Sequence, residues 1–279
     1  MPPVTTSHIT NDLYSALYVI WAPLKEGNTI SLASLESYEQ ADQILDGYRG
    51  FQAYLYDINA GRRIPSCALA IFALVRLAQL RVLRPIAPLS NRGSISILFR
   101  NERLNWPVLS NFLPHSTDSE GVVRHALTQL LDGLSLLVPN ETLAWRFTRH
   151  AIEPALFGRG VMEARIDGVL ADRRTDEETA KMVCWIQHDV RKSRARPPPR
   201  YLCISQWQEE IYLVVANFSK EYEEYIRTIE DSELGYPFRM VPDIMVMEEY
   251  GPFNIRDAED MKEFARHVVA YYCEIQRTT

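Results

Sequence analysis

Cysteine is scarce in this chain of 279 residues: Cys67, Cys184, Cys203 and Cys273 stand far apart, with no C-x-x-C pair. That spacing excludes a disulfide framework and a zinc ribbon. It points instead to reduced, buried thiols in an intracellular protein, cytoplasmic or nuclear. The six histidines include no H-x-x-x-H pair, so a His-rich metal site has no basis. No serine sits in a G-x-S-x-G elbow, and Gly158-Arg159-Gly160 lacks the longer spacing of a phosphate loop. The opening MPPVTTSHITND lacks the basic-then-apolar layout of a signal peptide. Long uninterrupted hydrophobic runs are missing too. Ile64 to Leu83 is apolar and long enough to span a bilayer, but Arg76 and Arg81 interrupt it. Two central arginines are costly in hydrocarbon, so the expectation is a largely buried amphipathic helix and no membrane span. No internal repeat occurs at solenoid periods.

What is present fits a globular chain. At 47% hydrophobic and 24% charged residues, wholesale disorder is excluded. The length allows one large domain or two small ones, with a sizeable core. A net charge of −6 argues against a chain that wraps nucleic acid over its whole surface. The region after Tyr201 is acidic, with Glu209, Glu210, Glu221, Glu223, Glu224 and Glu230 among others. Just before it lies a basic, proline-rich run, Arg191-Lys192-Ser193-Arg194-Ala195-Arg196-Pro197-Pro198-Pro199-Arg200. Two readings stand for that run: a loop that contacts phosphate, or a solvated linker in extended polyproline conformation.

Hydrophobic periodicity divides the chain into two zones. Residues 1–135 read as mainly helical. A short helix is expected over Asn11–Trp21, capped by Asn11 or Asp12, then a long amphipathic one over Leu35–Tyr56. The apolar helix follows over Pro65–Leu83, a strand over Ile95–Phe99, and a further helix over Val122–Leu137. Residues 136–279 read as mixed α/β. Thr142–Thr148 and Gly160–Ile166 alternate as strands, and Thr175–Val190 forms a helix with Ala180, Val183, Cys184 and Ile186 on its apolar side. Strands over Tyr201–Ser205 and Glu210–Ala216 come next, and Ser219 caps a helix running to about Ile229. Phe238–Met247 is extended, and a last helix from near Asp257 carries Met261, Phe264, Val268 and Tyr271 inward. Whether the N-terminal helices fold separately or wrap the sheet stays open.

Four pieces of the second half have a recognisable order. They are Glu163-Ala164-Arg165; the helix Glu177-Glu178-Thr179-Ala180-Lys181-Met182-Val183-Cys184-Trp185-Ile186; the strand pair Ile204-Ser205-Gln206 and Glu210-Ile211-Tyr212-Leu213 followed by Tyr222 and Tyr225; and Glu249-Tyr250-Gly251-Pro252-Phe253 before the last helix. In this order the chain resembles the fungal PD-(D/E)XK nuclease-like proteins. The resemblance implies an α/β (α+β) fold of restriction-endonuclease type, with a mixed central sheet flanked by helices and a metal site at the sheet's edge. The helical N-terminal region is additional to it.

Carried over residue by residue, the resemblance places Glu163 at the acidic position of the strand motif and Arg165 at its lysine position. Arginine stays protonated and cannot act as a base, but it can clamp phosphate oxygens in a bidentate way. The upstream Pro-Asp has no clean equivalent: Pro139-Asn140 has an amide there and Pro154-Ala155 has no ligand, so Glu153 or Glu141 stands in. Pro242-Asp243 is a literal Pro-Asp on the wrong side of Glu163, and reads as a decoy. Glu177 stands where a helix glutamine commonly occurs, and Lys181, one turn later, supplies a migrated lysine. The expected site therefore has Glu163, Arg165 and Lys181 in catalysis and Glu163, Glu177 and Asp167 around Mg²⁺ or Mn²⁺, with nucleic acid as partner. Two alternatives accompany it. One is a repurposed scaffold that encloses a small apolar substrate without metal, with Glu163 or Asp167 as the acid–base group. The other is a non-catalytic interaction protein, such as a homodimer.

Overall fold

Gln208 adopts a left-handed conformation, with φ of 51°, and turns the chain between two long strands. The side chain of the preceding Gln206 holds this corner, its Nε2 donating to the Gln208 carbonyl at 2.7 Å. The hairpin so made supplies two of the four strands of the main sheet. The computed structural model describes residues 4–5, 17–22, 30, 32–66, 70–83, 119–138, 150–151, 155–157, 160–163, 165–166, 174–191, 201–228 and 243–278. Its elements in chain order are β1 (Val4–Thr5), β2 (Val19–Trp21), α1 (Leu35–Gly47), α2 (Arg49–Asn59), α3 (Phe72–Val82), α4 (Ser119–Ser135), β3 (His150–Ala151), β4 (Ala155–Phe157), β5 (Gly160–Glu163), β6 (Arg165–Ile166), α5 (Arg174–Arg191), β7 (Tyr201–Trp207), β8 (Glu210–Asn217), α6 (Lys220–Thr228), β9 (Met245–Asn254) and α7 (Ala258–Thr278).

The main sheet has the order β2-β9-β8-β7, with β2 parallel to β9 and the other pairs antiparallel. β8 is apolar on both faces, as a strand covered from both sides must be. Ile211, Leu213 and Val215 join Leu45, Phe51, Tyr54, Phe72, Leu130 and Phe264 from helices α1–α4 and α7 in one core. Val214 and Ala216 join Met182, Val183 and Ile186 of α5 and Tyr222 and Ile226 of α6 in a second. The protein is thus a mixed α/β fold with helices on both faces of a four-stranded sheet, and its first core draws on both sides of position 135. Each phenylalanine wholly buried there contributes roughly 1.5–3 kcal/mol. α7 is fixed at its start by Asp257, whose Oδ1 accepts from the amides of Glu259 at 2.8 Å and Asp260 at 3.2 Å. Met261, Phe264, Val268 and Tyr271 are buried, on the face that the periodicity predicts.

β9 carries a bulge that keeps its aromatic residues in the first core. Leu213 pairs with Tyr250 but Ile211 pairs with Phe253, so one residue of β8 opposes two of β9. Without it, Tyr250 and Phe253, three residues apart, would point to opposite faces. Gly251 makes the bulge, with φ of 125° and a position where a Cβ would lie 2.8 Å from the Ile211 carbonyl oxygen.

The structure corrects several expected elements. The stretch predicted as one helix over Leu35–Tyr56 is two, broken at Tyr48, which is extended (φ −92°, ψ 102°). Gly47 and Gly50 weaken the helix on either side, and the break seats the Tyr48 ring 6.1 Å from that of Phe72. Val19–Trp21 is a strand rather than the end of a helix, because its β-branched and aromatic residues complete the edge of β9. The apolar helix begins at Phe72, not Pro65; Ala70, with φ of 50°, interrupts the expected run. Gly160–Ile166 is two short strands in two different sheets. Ser219 caps α6 as expected, its Oγ accepting from the Tyr222 amide at 3.3 Å. No helix among the described residues is long and apolar enough to cross a membrane. The expected strands over 95–99 and 142–148, and the basic run beyond Arg191, lie outside the described residues.

Candidate functional site

The Glu163 strand is built by a short hairpin. β4 and β5 pair antiparallel, with Phe157 opposite Gly160 and Ala155 opposite Met162. β1 adds in parallel on the other side, with Thr5 opposite Glu163. Glu163 therefore ends the central strand of a three-stranded sheet ordered β1-β5-β4. Two residues on, Arg165 belongs to β6, which pairs with β3 through Ala151 opposite Arg165 and His150 opposite Ile166.

This division bears directly on the motif. In one continuous strand, residues two apart lie on the same face. The chain changes sheets between Glu163 and Arg165, so strand alternation no longer fixes them side by side. Glu177 and Lys181 are both on α5, four residues apart and hence about 6 Å along its axis. α5 packs against β4, β5 and β7, and so bridges the small sheet to the main one. Its buried residues show how it is anchored: Trp21 Nε1 donates to Thr179 Oγ1 at 2.9 Å, and Gln187 Nε2 donates to the Ile226 carbonyl at 3.2 Å. The fold thus brings the element bearing Glu177 and Lys181 against the element bearing Glu163, with Arg165 in the adjoining two-stranded sheet. Asp167, Glu141 and Glu153 lie outside the described residues, and Asp243 is exposed just before β9.

The expected ligand set consists of carboxylate oxygens alone, which suits a hard divalent cation such as Mg²⁺ or Mn²⁺. Among the described residues, no group of three or more His, Cys, Asp or Glu side chains is arranged to hold a metal ion.

Sequence reasoning treated Arg76 as no more than an interruption in an apolar helix, yet it is buried together with Tyr54, Asp57 and Gln79 where α2 meets α3. Tyr54 and Asp57 lie one turn apart on α2, and Arg76 and Gln79 one turn apart on α3; all four are at most 3% exposed. The Tyr54 hydroxyl is 2.8 Å from Nε2 and 3.0 Å from Oε1 of Gln79. Asp57 accepts from the Ser66 amide at 2.8 Å through Oδ2 and lies 3.3 Å from Nη1 of Arg62 through Oδ1. Burial pushes the Tyr54 phenol far above its ordinary range, so it stays a neutral donor. The signal in the sequence was polar residues at helical spacing on faces otherwise apolar. Cys184 and Cys273 are buried, as expected, whereas Cys203 is only half-buried and Cys67 lies outside the described residues.

Comparison of the chain with protein-family models, with curated proteins and with solved structures finds no match.

Proposed function

We propose that this chain is a nuclease-like protein of the PD-(D/E)XK type, with a divalent-cation site at Glu163 and Glu177 and a phosphate grip from Arg165 and Lys181. One observation carries the reading: α5, with Glu177 and Lys181 one turn apart, packs on the strand that ends in Glu163 and also on β7 of the main sheet. The order of elements supports it further, since an antiparallel strand pair, the short strand β6, a helix, a second antiparallel strand pair, a helix, a strand and a last helix follow one another from β4 to α7.

In this reading the two carboxylates hold the cation, which when bound activates water and neutralises charge on the phosphate. Arg165 and Lys181 act as fixed positive charges toward the phosphodiester. Arg165 binds and orients oxygens and takes no proton. With a net charge of −6, contact with nucleic acid is confined to this site. The test is calorimetric titration of Mg²⁺ and Mn²⁺ into the wild type and Glu163→Ala, with cleavage of plasmid and single-stranded DNA measured alongside. Cation binding and cleavage that both vanish in Glu163→Ala are the expected result. Neither binding nor cleavage in the wild type sinks the proposal and moves the search to a small-molecule pocket on the same scaffold.

A further inference from the structure

Where α1 packs on α7, the hydrogens of one buried contact can be counted. The Tyr38 hydroxyl has a single hydrogen, and it goes to the Ile30 carbonyl at 3.2 Å. The same oxygen accepts from the Leu32 amide at 3.3 Å and lies 2.9 Å from Nδ1 of His267. With its own hydrogen given to Ile30, the hydroxyl accepts from the imidazole, so Nδ1 carries the ring hydrogen. In the neutral ring Nε2 then turns a lone pair toward Oε1 of Glu263, 3.7 Å away and one turn earlier on α7. A lone pair facing a carboxylate is repelled, and one proton between the two makes the contact attractive. The imidazole is 2% exposed, so solvent does little to soften either state.

We propose that His267 and Glu263 hold one proton in common, and that this proton is an acid-responsive latch between α7 and α1. Burial drives a proton off an imidazole and onto a carboxyl. The Glu263 carboxyl is raised by its own burial and by Asp260, against a lowering by Arg266. Whichever atom carries it, the proton occupies the same gap, and the pair titrates as a unit. The neighbouring charges leave this gap alone. Arg266 lies 4.9 Å over the Tyr38 ring and is paired with Asp42 of α1 at 2.7 Å. β9 brings the Phe253 ring to 6.2 Å from the imidazole. Asp132 of α4 acts on Tyr272, and Tyr54 of α2 is a neutral partner of Gln79. Loss of the proton sets the imidazole lone pair against the Glu263 carboxylate. The ring is pushed away and takes its Nδ1 hydrogen from Tyr38, which organises the contacts to Ile30 and Leu32. The latch is closed below the ordinary histidine range, about pH 6.5, and opens as pH rises through the pair's own value.

The experiment is nitrogen NMR of the full chain labelled at histidine, followed from acid to alkaline pH, with His267 assigned by the signals lost in His267→Gln. Both ring nitrogens of His267 are expected to carry hydrogen at the acid end, and Nε2 alone to lose it as pH rises. Glu263→Gln, a change at a half-buried side chain, is expected to weaken proton binding at least tenfold. In the wild type, protection of the Leu32 amide from exchange is expected to fall across the same midpoint. Three results overturn the proposal. They are a neutral ring with its hydrogen on Nε2, a midpoint that Glu263→Gln does not move, and Leu32 protection that stays constant through the titration.

Discussion

The hydroxyl of Tyr38 lies 2.9 Å from Nδ1 of His267, a buried contact that ties α1 to α7 above the central sheet. The same hydroxyl donates to the Ile30 carbonyl at 3.2 Å and accepts from the Leu32 amide at 3.3 Å. One oxygen therefore fixes a helix pair and the segment that leads into α1. Tyr38→Phe keeps the ring but removes all three contacts. It is expected to cost about 1–3 kcal/mol, since buried polar groups lose their partner. Urea unfolding followed by fluorescence measures this as a lower midpoint at unchanged slope.

A second tie between the same helices is charged. Glu274 on α7 accepts through Oε2 from the Ser34 amide at 3.0 Å and from the hydroxyls of Ser34 and Ser37, each at 2.7 Å. These hydrogen bonds hold its carboxyl down to about 2. A carboxylate depressed on folding stabilises the native state above its unfolded pKa, and the effect is lost as pH falls through the folded value. The contribution is therefore complete above about pH 4.5 and disappears towards about pH 2. Glu274→Gln is expected to lower stability by roughly 1–2 kcal/mol at pH 7. The gap from wild type narrows across that acid window, as melting curves taken from pH 2 to 7 will record.

Asp132 on α4 shows the opposite sign. Burial raises its carboxyl to about 6, so ionising it opposes folding. Its unfavourable effect is absent below the ordinary aspartate range and grows as pH rises from about 4 towards about 6. Asp132→Asn is thus expected to stabilise the protein at pH 7.5, by a few tenths to about 1 kcal/mol once solvent screening is allowed for. It is expected to leave stability unchanged at pH 3.5. A variant equal to wild type at both pH values would refute the assignment.

Gly251 is required by its conformation and by its neighbour. Gly251→Ala places a methyl group against the Ile211 carbonyl at a φ of 125°. The expected cost is on the order of 1–3 kcal/mol. Amide exchange should accelerate first where β8 and β9 pair, at Ile211 and Leu213.

The nuclease proposal makes its own prediction at the position that departs from the motif. Arg165→Lys restores a group that gives up a proton far more readily than a guanidinium. If Glu163 and Glu177 hold a cation, this change is expected to raise Mn²⁺-dependent cleavage of DNA by tenfold or more. No gain, in a protein that still binds Mn²⁺, would show that Arg165 is not at the reacting phosphate.

Much of the secondary structure was legible in the sequence because it rests on local period. The apolar stripe of Met261, Phe264, Val268 and Tyr271 defines α7, and Asp257 and Ser219 mark helix starts by their capping oxygens. The two apolar runs on either side of Gln206-Trp207-Gln208 mark the β7–β8 hairpin. The composition bounded the rest, with a balance of residues that excludes wholesale disorder and cysteines without C-x-x-C spacing.

Tertiary structure decided what local period leaves ambiguous. Val19–Trp21 became a strand because the open edge of β9 supplied the hydrogen bonds that a helix would have made internally. Glu163 and Arg165 read as neighbours in one strand, but pairing with β1 in one case and β3 in the other put them in separate sheets. Arg76 looked like a blemish in an apolar helix until α2 was packed against it and Asp57 was claimed by Ser66 and Arg62. Period and capping act within a few residues and are written in the sequence. Strand pairing and the fate of a buried charge depend on groups far apart in the chain, and only packing brings those together.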